Sequence, residues 1–353
     1  MDVSSLGQRV GAVSARLGRW RRRLGSWTKA LRDPSITPSR AASILLSRLS
    51  YRARTARSLG LPRILYIETT NACNLHCTIC PTGIGNLDRP KANMSLDDFK
   101  RLIDQGRGSL TRIIFSGLGE PFINPRTYEM IAYARSQRIF TSVCSNLLLL
   151  DDDDLNKVID SGLDLLTVSI DLAPEGKNWR FVRKTDKDIA LVKDRLGRLA
   201  ELKRERGKKL PFVSVSYPVT KENESTLDQA REFATEVGAD EFSTKSVNAT
   251  LAGQDAKAMI EKHVSLRFSR YHRPKEGHGF CQWPYKGAMI YANGDISPCC
   301  HLGRGEHKLG NVFNDGLAGV WNGDKYKKFR LKLMHEPETV DHCAGCVERF
   351  GGI

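Results

Sequence analysis

No run of apolar residues in this 353-residue chain approaches the roughly 20 that a membrane span needs, and no apolar core with a small-residue cleavage site follows its first residues. These absences predict a chain that is neither threaded through a bilayer nor secreted, and a cytoplasmic, reducing setting in which nine cysteines serve metals rather than disulfides. Acidic residues are nearly missing from the start. Residues 1–63 hold fourteen Lys and Arg against Asp2 and Asp33, a balance of +12. Of the total +15, only +3 is left for the other 290 residues. The near-neutral remainder argues against a nucleic-acid-binding core. Cysteine is also absent between Cys80 and Cys144, so the thiols at Cys73, Cys77 and Cys80 have no fourth partner close in sequence.

What is present is a CxxxCxxC loop inside Ile67-Glu68-Thr69-Thr70-Asn71-Ala72-Cys73-Asn74-Leu75-His76-Cys77-Thr78-Ile79-Cys80-Pro81. Three thiolates on one tight loop hold three corners of an iron–sulfur cubane and leave the fourth iron open to another molecule. A structural zinc loop is the alternative, but zinc pairs usually read CxxC followed by a second pair or by histidines.

From residue 64 onward, strand-like runs at Ile64–Glu68, Arg112–Phe115, Phe140–Cys144, Leu165–Ile170, Phe212–Tyr217 and Glu241–Ser246 alternate with helical patterns near 95–105, 125–136, 152–161, 186–206 and 226–237. Six strand–helix repeats predict a parallel sheet with helices outside, either an open doubly wound sheet or a partial barrel. Active groups then belong at the C-terminal ends of the strands. Gly117-Leu118-Gly119-Glu120, Ser145-Asn146, and Ser169 with Asp171 all fall there. Asp151–Asp154, a run before a helix, reads as N-terminal capping. Cys144, inside a strand, reads as a small buried residue.

Ahead of the repeats, Val3, Leu6, Val10, Val13, Leu17, Trp20, Leu24, Trp27 and Leu31 recur at alternating spacings of three and four, an amphipathic helical stripe ringed by arginines. A second helical stretch near 38–58 carries Ile44, Leu45, Leu46, Leu49 and Tyr51 among five more arginines. Two readings stand: the helices pack on the barrel or on a second copy, or they rest peripherally on an anionic bilayer.

At the other end, Cys281, Cys299, Cys300, Cys343 and Cys346 follow the pattern C-x17-CC-x42-CxxC, with an Asn293-Gly294 hairpin between the first two. Four such thiolates ligate either a zinc ion or a second cluster.

The Cys73/Cys77/Cys80 loop with its Glu68-Thr69-Thr70-Asn71 lead-in, together with Ser116–Pro121, resembles the radical S-adenosylmethionine (SAM) enzymes. The C-terminal pattern, through Cys281, Gly294, Cys299, Gly310-Asn311, Trp321-Asn322, Cys343 and Cys346, is similar to their SPASM/Twitch extensions, closest to the shorter Twitch form. The resemblance selects a partial (β/α)6 barrel. It implies three segments: a basic helical arm over 1–60, the barrel over 61–265 and an auxiliary-cluster domain over 266–353. It implies one [4Fe–4S] cluster on Cys73, Cys77 and Cys80 with SAM on its open iron. An auxiliary [4Fe–4S] cluster falls to Cys281, Cys299, Cys343 and Cys346, leaving Cys300 spare. Gly117, Gly119 and Glu120 are expected at the SAM ammonium, Asn146, Ser169 and Asp171 at its ribose, and Arg183 at its carboxylate. Ile79 departs from the aromatic residue usual before the third cysteine. The resemblance further implies an external flavodoxin- or ferredoxin-type electron donor. The expected reaction is hydrogen abstraction by a 5′-deoxyadenosyl radical, in an oxidoreductase acting on a carbohydrate-like small molecule such as a sugar or aminocyclitol. The alternatives are a maturase of a ribosomally made peptide and a non-catalytic zinc-binding interaction protein.

Overall fold

The computed structural model describes residues 35–77, 80–87, 89–172, 185–247, 256–269, 281–300, 307–340, 343 and 346. Arg183, Ile79 and the first 34 residues, with their apolar stripe, lie outside the described residues. Helix α1 (Pro38–Arg52) leads into six strands: β1 Ile64–Ile67, β2 Arg112–Phe115, β3 Phe140–Ser145, β4 Leu165–Ser169, β5 Phe212–Val219 and β6 Glu241–Ser246. Between them run α2 Leu96–Gly106, α3 Thr127–Ser136, α4 Asp152–Asp160, α5 Asp186–Glu205 and α6 Leu227–Glu236. All five pairings between successive strands are parallel, as the alternation predicts.

Helix starts follow from local polar chemistry. The Ser95 hydroxyl accepts from the Asp98 N–H at 3.0 Å, and Thr185 and Asp188 form a reciprocal capping box on α5. Asp151 accepts from the Asp154 N–H at 2.9 Å, so the aspartate run is a cap, as its position suggested.

Period-two alternation divides the sheet into two unlike faces. Leu65, Ile67, Ile113, Phe115, Val143 and Leu166 are fully buried and join one apolar core with Phe99, Ile131, Leu155 and Leu199 from the helices. The opposite face carries Ser142, Cys144, Thr167, Ser169, Ser214 and Ser216, which the strand register sets side by side. A parallel sheet buried on both sides is apolar on both. Here the inner face is hydroxyl-rich, which suits polar contents.

After α7 (Ala256–His263) and α8 (Trp283–Lys286), β7 (Gly287–Ile290) runs parallel beside β1, pairing Ile64 with Gly287 through Ile67 with Ile290. Strands β8 (Asp295–Ser297) and β9 (Gly310–Asn311) add on antiparallel, giving one nine-stranded sheet in the order β6-β5-β4-β3-β2-β1-β7-β8-β9. The hairpin turns at Asn293-Gly294, where Gly294 adopts φ +85° and a Cβ would sit 2.3 Å from the Phe313 ring. Short α9 (Val312–Asp315) and α10 (Leu317–Trp321) precede α11 (Asp324–His335). The expected boundary near residue 266 thus lies between segments that share a sheet. Among the described residues no helix is long and apolar enough to cross a membrane.

Candidate active site

The cysteine loop leaves the end of β1 and is closed at its neck by its own lead-in residues. Glu68, Thr69, Thr70 and Asn71 are each 1% exposed. The Asn71 side chain donates to the Pro90 carbonyl at 2.8 Å and accepts from the Ala92 N–H at 2.9 Å, joining the two legs of the loop. Asn124 donates to the Thr69 and Met94 carbonyls, both at 2.9 Å.

Glu68 is the centre of this neck. Its carboxylate receives both arms of the Arg89 guanidinium at 2.7 and 2.9 Å, the Leu118 N–H at 3.2 Å and the Ala292 N–H at 3.4 Å. The Arg89 guanidinium stacks 4.1 Å from the Tyr291 ring centre. Burial alone lowers the basicity of Arg89, but the Glu68 carboxylate more than offsets it and holds the guanidinium above its ordinary value. One buried ion pair therefore ties β1, the far leg of the cysteine loop, the glycine loop and the C-terminal hairpin together. Two ends twenty-one residues apart carry it, and neither belongs to a motif that sequence reading singled out for this pairing.

Cys73, Cys77 and Cys80 are all half-buried. Within the loop the Leu75 N–H points at the Cys73 sulfur at 3.4 Å, and the Cys80 N–H donates to the Cys77 carbonyl at 3.2 Å. Burial pushes the Cys73 thiol up, the Leu75 N–H opposes this, and the negative charge of Glu120 and the Cys80 thiol add to it.

The glycine loop lies directly against the cysteine loop. A Cβ on Gly119 would come 2.1 Å from the Thr70 carbonyl oxygen and 2.8 Å from that of Ala72, so only glycine fits. The Glu120 N–H donates to the Ala72 carbonyl at 2.9 Å. The Glu120 carboxylate, 3% exposed, accepts from the Ser145 hydroxyl and the Asn146 N–H, both at 2.8 Å, and from the Phe122 N–H at 3.3 Å. Asn146 in turn donates to the Asn74 side chain at 2.8 Å. Cysteine loop, glycine loop and β3 end are thus one hydrogen-bonded frame. Glu120 thereby brings a carboxylate charge to the junction of the three segments.

Ser169 is half-buried on the lumen face of β4. Asp171 stands apart: it is 0% exposed, and its carboxylate accepts from Asn223 at 2.7 Å while Asn223 also bonds the Thr220 N–H and the Pro218 carbonyl. Its hydrogen bond orients Asn223, in the loop that follows β5.

Cys144 overturns the reading of it as a buried strand residue. It is exposed to the lumen, because the period of the strand sets it opposite core-facing Val143. Protein nevertheless surrounds it: burial pushes the thiol up, Ser116 and Thr167 hydrogen-bond it, and Lys245 from β6 brings a nearby cation. Tyr66, on the same face of β1, has its phenol pushed up by burial and by the neighbouring thiol of Cys300, to which it hydrogen-bonds.

In the C-terminal part, Cys281 and Cys343 share an apolar cluster with Phe329, Leu333 and Val340. The Cys346 N–H donates to the Cys343 carbonyl at 3.2 Å. Cys299 adds to the effect of burial in raising the Tyr326 phenol, while Cys300 turns to Tyr66. Both adjacent cysteines lie near Tyr66, but only Cys300 hydrogen-bonds it. None of the nine cysteines, all of them described, forms a disulfide. Among the described residues no group of three or more His, Cys, Asp or Glu side chains is gathered closely enough to hold a metal ion. A cubane spreads its thiolates over separate irons, and three half-buried thiols on one pinned loop suit that donor set.

Residues 67–234 match the Radical SAM superfamily, and residues 281–347 match the SPASM iron–sulfur cluster-binding domain. The chain is 24% identical over 300 residues to the tungsten-containing aldehyde ferredoxin oxidoreductase cofactor-modifying protein of Pyrococcus furiosus, covering 76% of this chain and 83% of that protein. It is 24% identical over 320 residues to the PqqA peptide cyclase of Granulibacter bethesdensis, covering 82% and 80%. The crystal structure of Streptococcus suis SuiB bound to precursor peptide SuiA aligns with a TM-score of 0.55 at 20% identity, over 83% of this chain and 72% of that one, a likeness of fold.

Proposed function

The chain belongs to the radical SAM superfamily and carries a SPASM domain, and from that premise we propose that it is a maturase acting on a ribosomally made peptide or protein. The chemistry that a SAM-loaded [4Fe–4S] cluster supplies is a 5′-deoxyadenosyl radical able to take a hydrogen atom from an unactivated C–H bond. Every other task falls to this chain's residues. Cys73, Cys77 and Cys80 would hold three irons and leave the fourth for SAM. Gly119 lets backbone come close, and Glu120 sets its carboxylate charge toward the SAM ammonium. Asn146 and Ser169, at neighbouring strand ends, are the ribose contacts, and Arg183 is assigned to the carboxylate. Asp171 acts at one remove, through Asn223. Cys281, Cys299, Cys343 and Cys346 would hold an auxiliary cluster, with Cys300 left to Tyr66. A small flavodoxin- or ferredoxin-type protein is the proposed electron donor.

The observation that carries the enzyme reading is the Asn74–Asn146–Glu120 hydrogen-bond chain, because it fixes cysteine loop, glycine loop and β3 end as one frame beside the lumen. The substrate reading draws its support from the relatives, among them a peptide cyclase aligned over most of both chains. The carbohydrate-like substrate expected from the sequence finds no such support. A hydroxyl-lined lumen suits a peptide backbone and a sugar ring alike.

Anaerobic reconstitution tests both levels. The wild type is expected to bind about eight irons per chain and to release 5′-deoxyadenosine under strong reductant, and Cys77→Ala about four irons with no release. Failure of the wild type to cleave SAM would end the enzyme reading. Deuterium should enter 5′-deoxyadenosine from a perdeuterated cellular peptide fraction. Entry only from a perdeuterated carbohydrate fraction would overturn the substrate reading alone.

A further inference from the structure

Helix α1 is amphipathic the wrong way round for a helix resting on a globular protein. On the side turned to the protein the fully buried residues are polar, Arg40, Ser47 and Ser50, with Ile44 and Tyr51 half-buried beside them and Tyr51 set edge-on to Tyr285. The Arg40 guanidinium donates to the Ser35, Arg107, Gln137 and Arg138 carbonyls, capping the ends of α2 and α3. Ser47 is small of necessity, since Gly60 comes so close that a Cβ there would sit 2.3 Å from the Ser47 hydroxyl. The side turned outward is apolar. Leu45 is 55%, Leu46 37% and Leu49 47% exposed, and Leu59, just beyond the helix, is 63% exposed. Scattered surface leucines need no explanation, but three on one face of one helix above a polar underside do.

The cations flanking that face identify what covers it. Arg48, Arg52, Arg54 and Arg57 are exposed around the leucines, and no acidic residue occurs between Asp33 and Glu68. We propose that the outer face of α1 docks on an anionic phospholipid bilayer, leucines entering the acyl boundary and arginines lying among the head groups. The apolar stripe of residues 3–31, with Trp20, Trp27 and the Arg21–Arg23 run, has the same chemistry. Two arginine-ringed stripes repel each other and share an attraction to one negative plane, which favours the bilayer over the chain's own N-terminal segment as the cover. The near-neutral barrel contributes little to that attraction, so the contact is confined to this flank.

Co-sedimentation of the full chain with vesicles decides the matter. Wild type should pellet with phosphatidylcholine vesicles doped with phosphatidylserine, not with phosphatidylcholine alone, and less as salt rises. Leu45→Ser/Leu49→Ser should weaken pelleting by about tenfold or more. Arg48→Gln/Arg52→Gln should weaken it by about 25-fold, from roughly fivefold per arginine. All these residues are exposed and outside the site, so melting temperature and SAM cleavage should stay at wild-type values. No pelleting with the anionic vesicles, or pelleting that the leucine pair leaves unchanged, would overturn the proposal. Light scattering showing a dimer that the leucine pair dissociates would overturn it too, in favour of a second copy. So would binding of duplex DNA that the arginine pair abolishes while lipid is ignored.

Discussion

Replacing Arg89 by methionine leaves the Glu68 carboxylate in place without its counter-charge. The Glu68 side chain is 0% and that of Arg89 10% exposed, so water cannot substitute for the guanidinium. What remains to the carboxylate is two longer backbone contacts, from Leu118 at 3.2 Å and Ala292 at 3.4 Å. Stripping one member from a buried pair costs about 3–5 kcal/mol. Unfolding entropy of roughly 2.1 cal/mol/K per residue, over 353 residues, gives about 0.7 kcal/mol/K, so the loss corresponds to about 4–7 °C in melting temperature. The assay is thermal unfolding of the cluster-free protein under reductant, followed by circular dichroism. Adding Glu68→Gln to Arg89→Met removes the stranded charge and should restore at least half of the loss, since deleting both partners is nearly neutral. Hydrogen exchange should rise in Arg89→Met at the Leu118 and Ala292 amides. An Arg89→Met protein melting within about a degree of wild type, or a double variant worse than either single one, would refute the assignment of Glu68 and Arg89 as the joint.

Two further outcomes follow from the site. Gly119→Ala drives a methyl into the Thr70 and Ala72 carbonyls, so the frame must open; SAM cleavage should fall at least about tenfold with iron content held, as checked by product release against iron assay. The Cys144 thiol is exposed yet raised by burial, so in cluster-free protein at pH 7 its thiolate fraction lies below that of an ordinary cysteine. Iodoacetamide labelling of Cys144, read by peptide mass spectrometry, should accelerate as pH climbs and continue to do so beyond the point where a free thiol levels off; a plateau near that ordinary point would contradict the placement.

The strands, helices and caps were legible because each is a local affair: alternation of period two, repeats of three and four, and a Ser, Thr or Asp ahead of the run. The cysteine and glycine loops were legible as motifs at strand ends. What escaped was set by packing between distant segments. Glu68 could be quoted as part of a lead-in, but its partner lies beyond the cysteine loop and its fourth contact at Ala292, where no sequence rule reaches. Cys144 reads as buried from its place inside a strand, although alternation in Thr141-Ser142-Val143-Cys144-Ser145 sets it on the face opposite Val143. Asp171 reads as a strand-end residue by position; only the fold shows its hydrogen bond to Asn223. The leucines of α1 were ambiguous in principle, since a stripe does not say which way it points.

The strand that completes the near edge of β1 comes from more than two hundred residues further along the chain, Gly287–Ile290 beside Ile64–Ile67. During synthesis the ribosome releases β1 through β6 long before that cover emerges, and for that interval β1 presents an unpaired row of N–H and C=O groups to other nascent chains. The last part of the polypeptide is thereby made a condition for protecting the first, and a product cut short after β6 should be lost to aggregation before any metal reaches it.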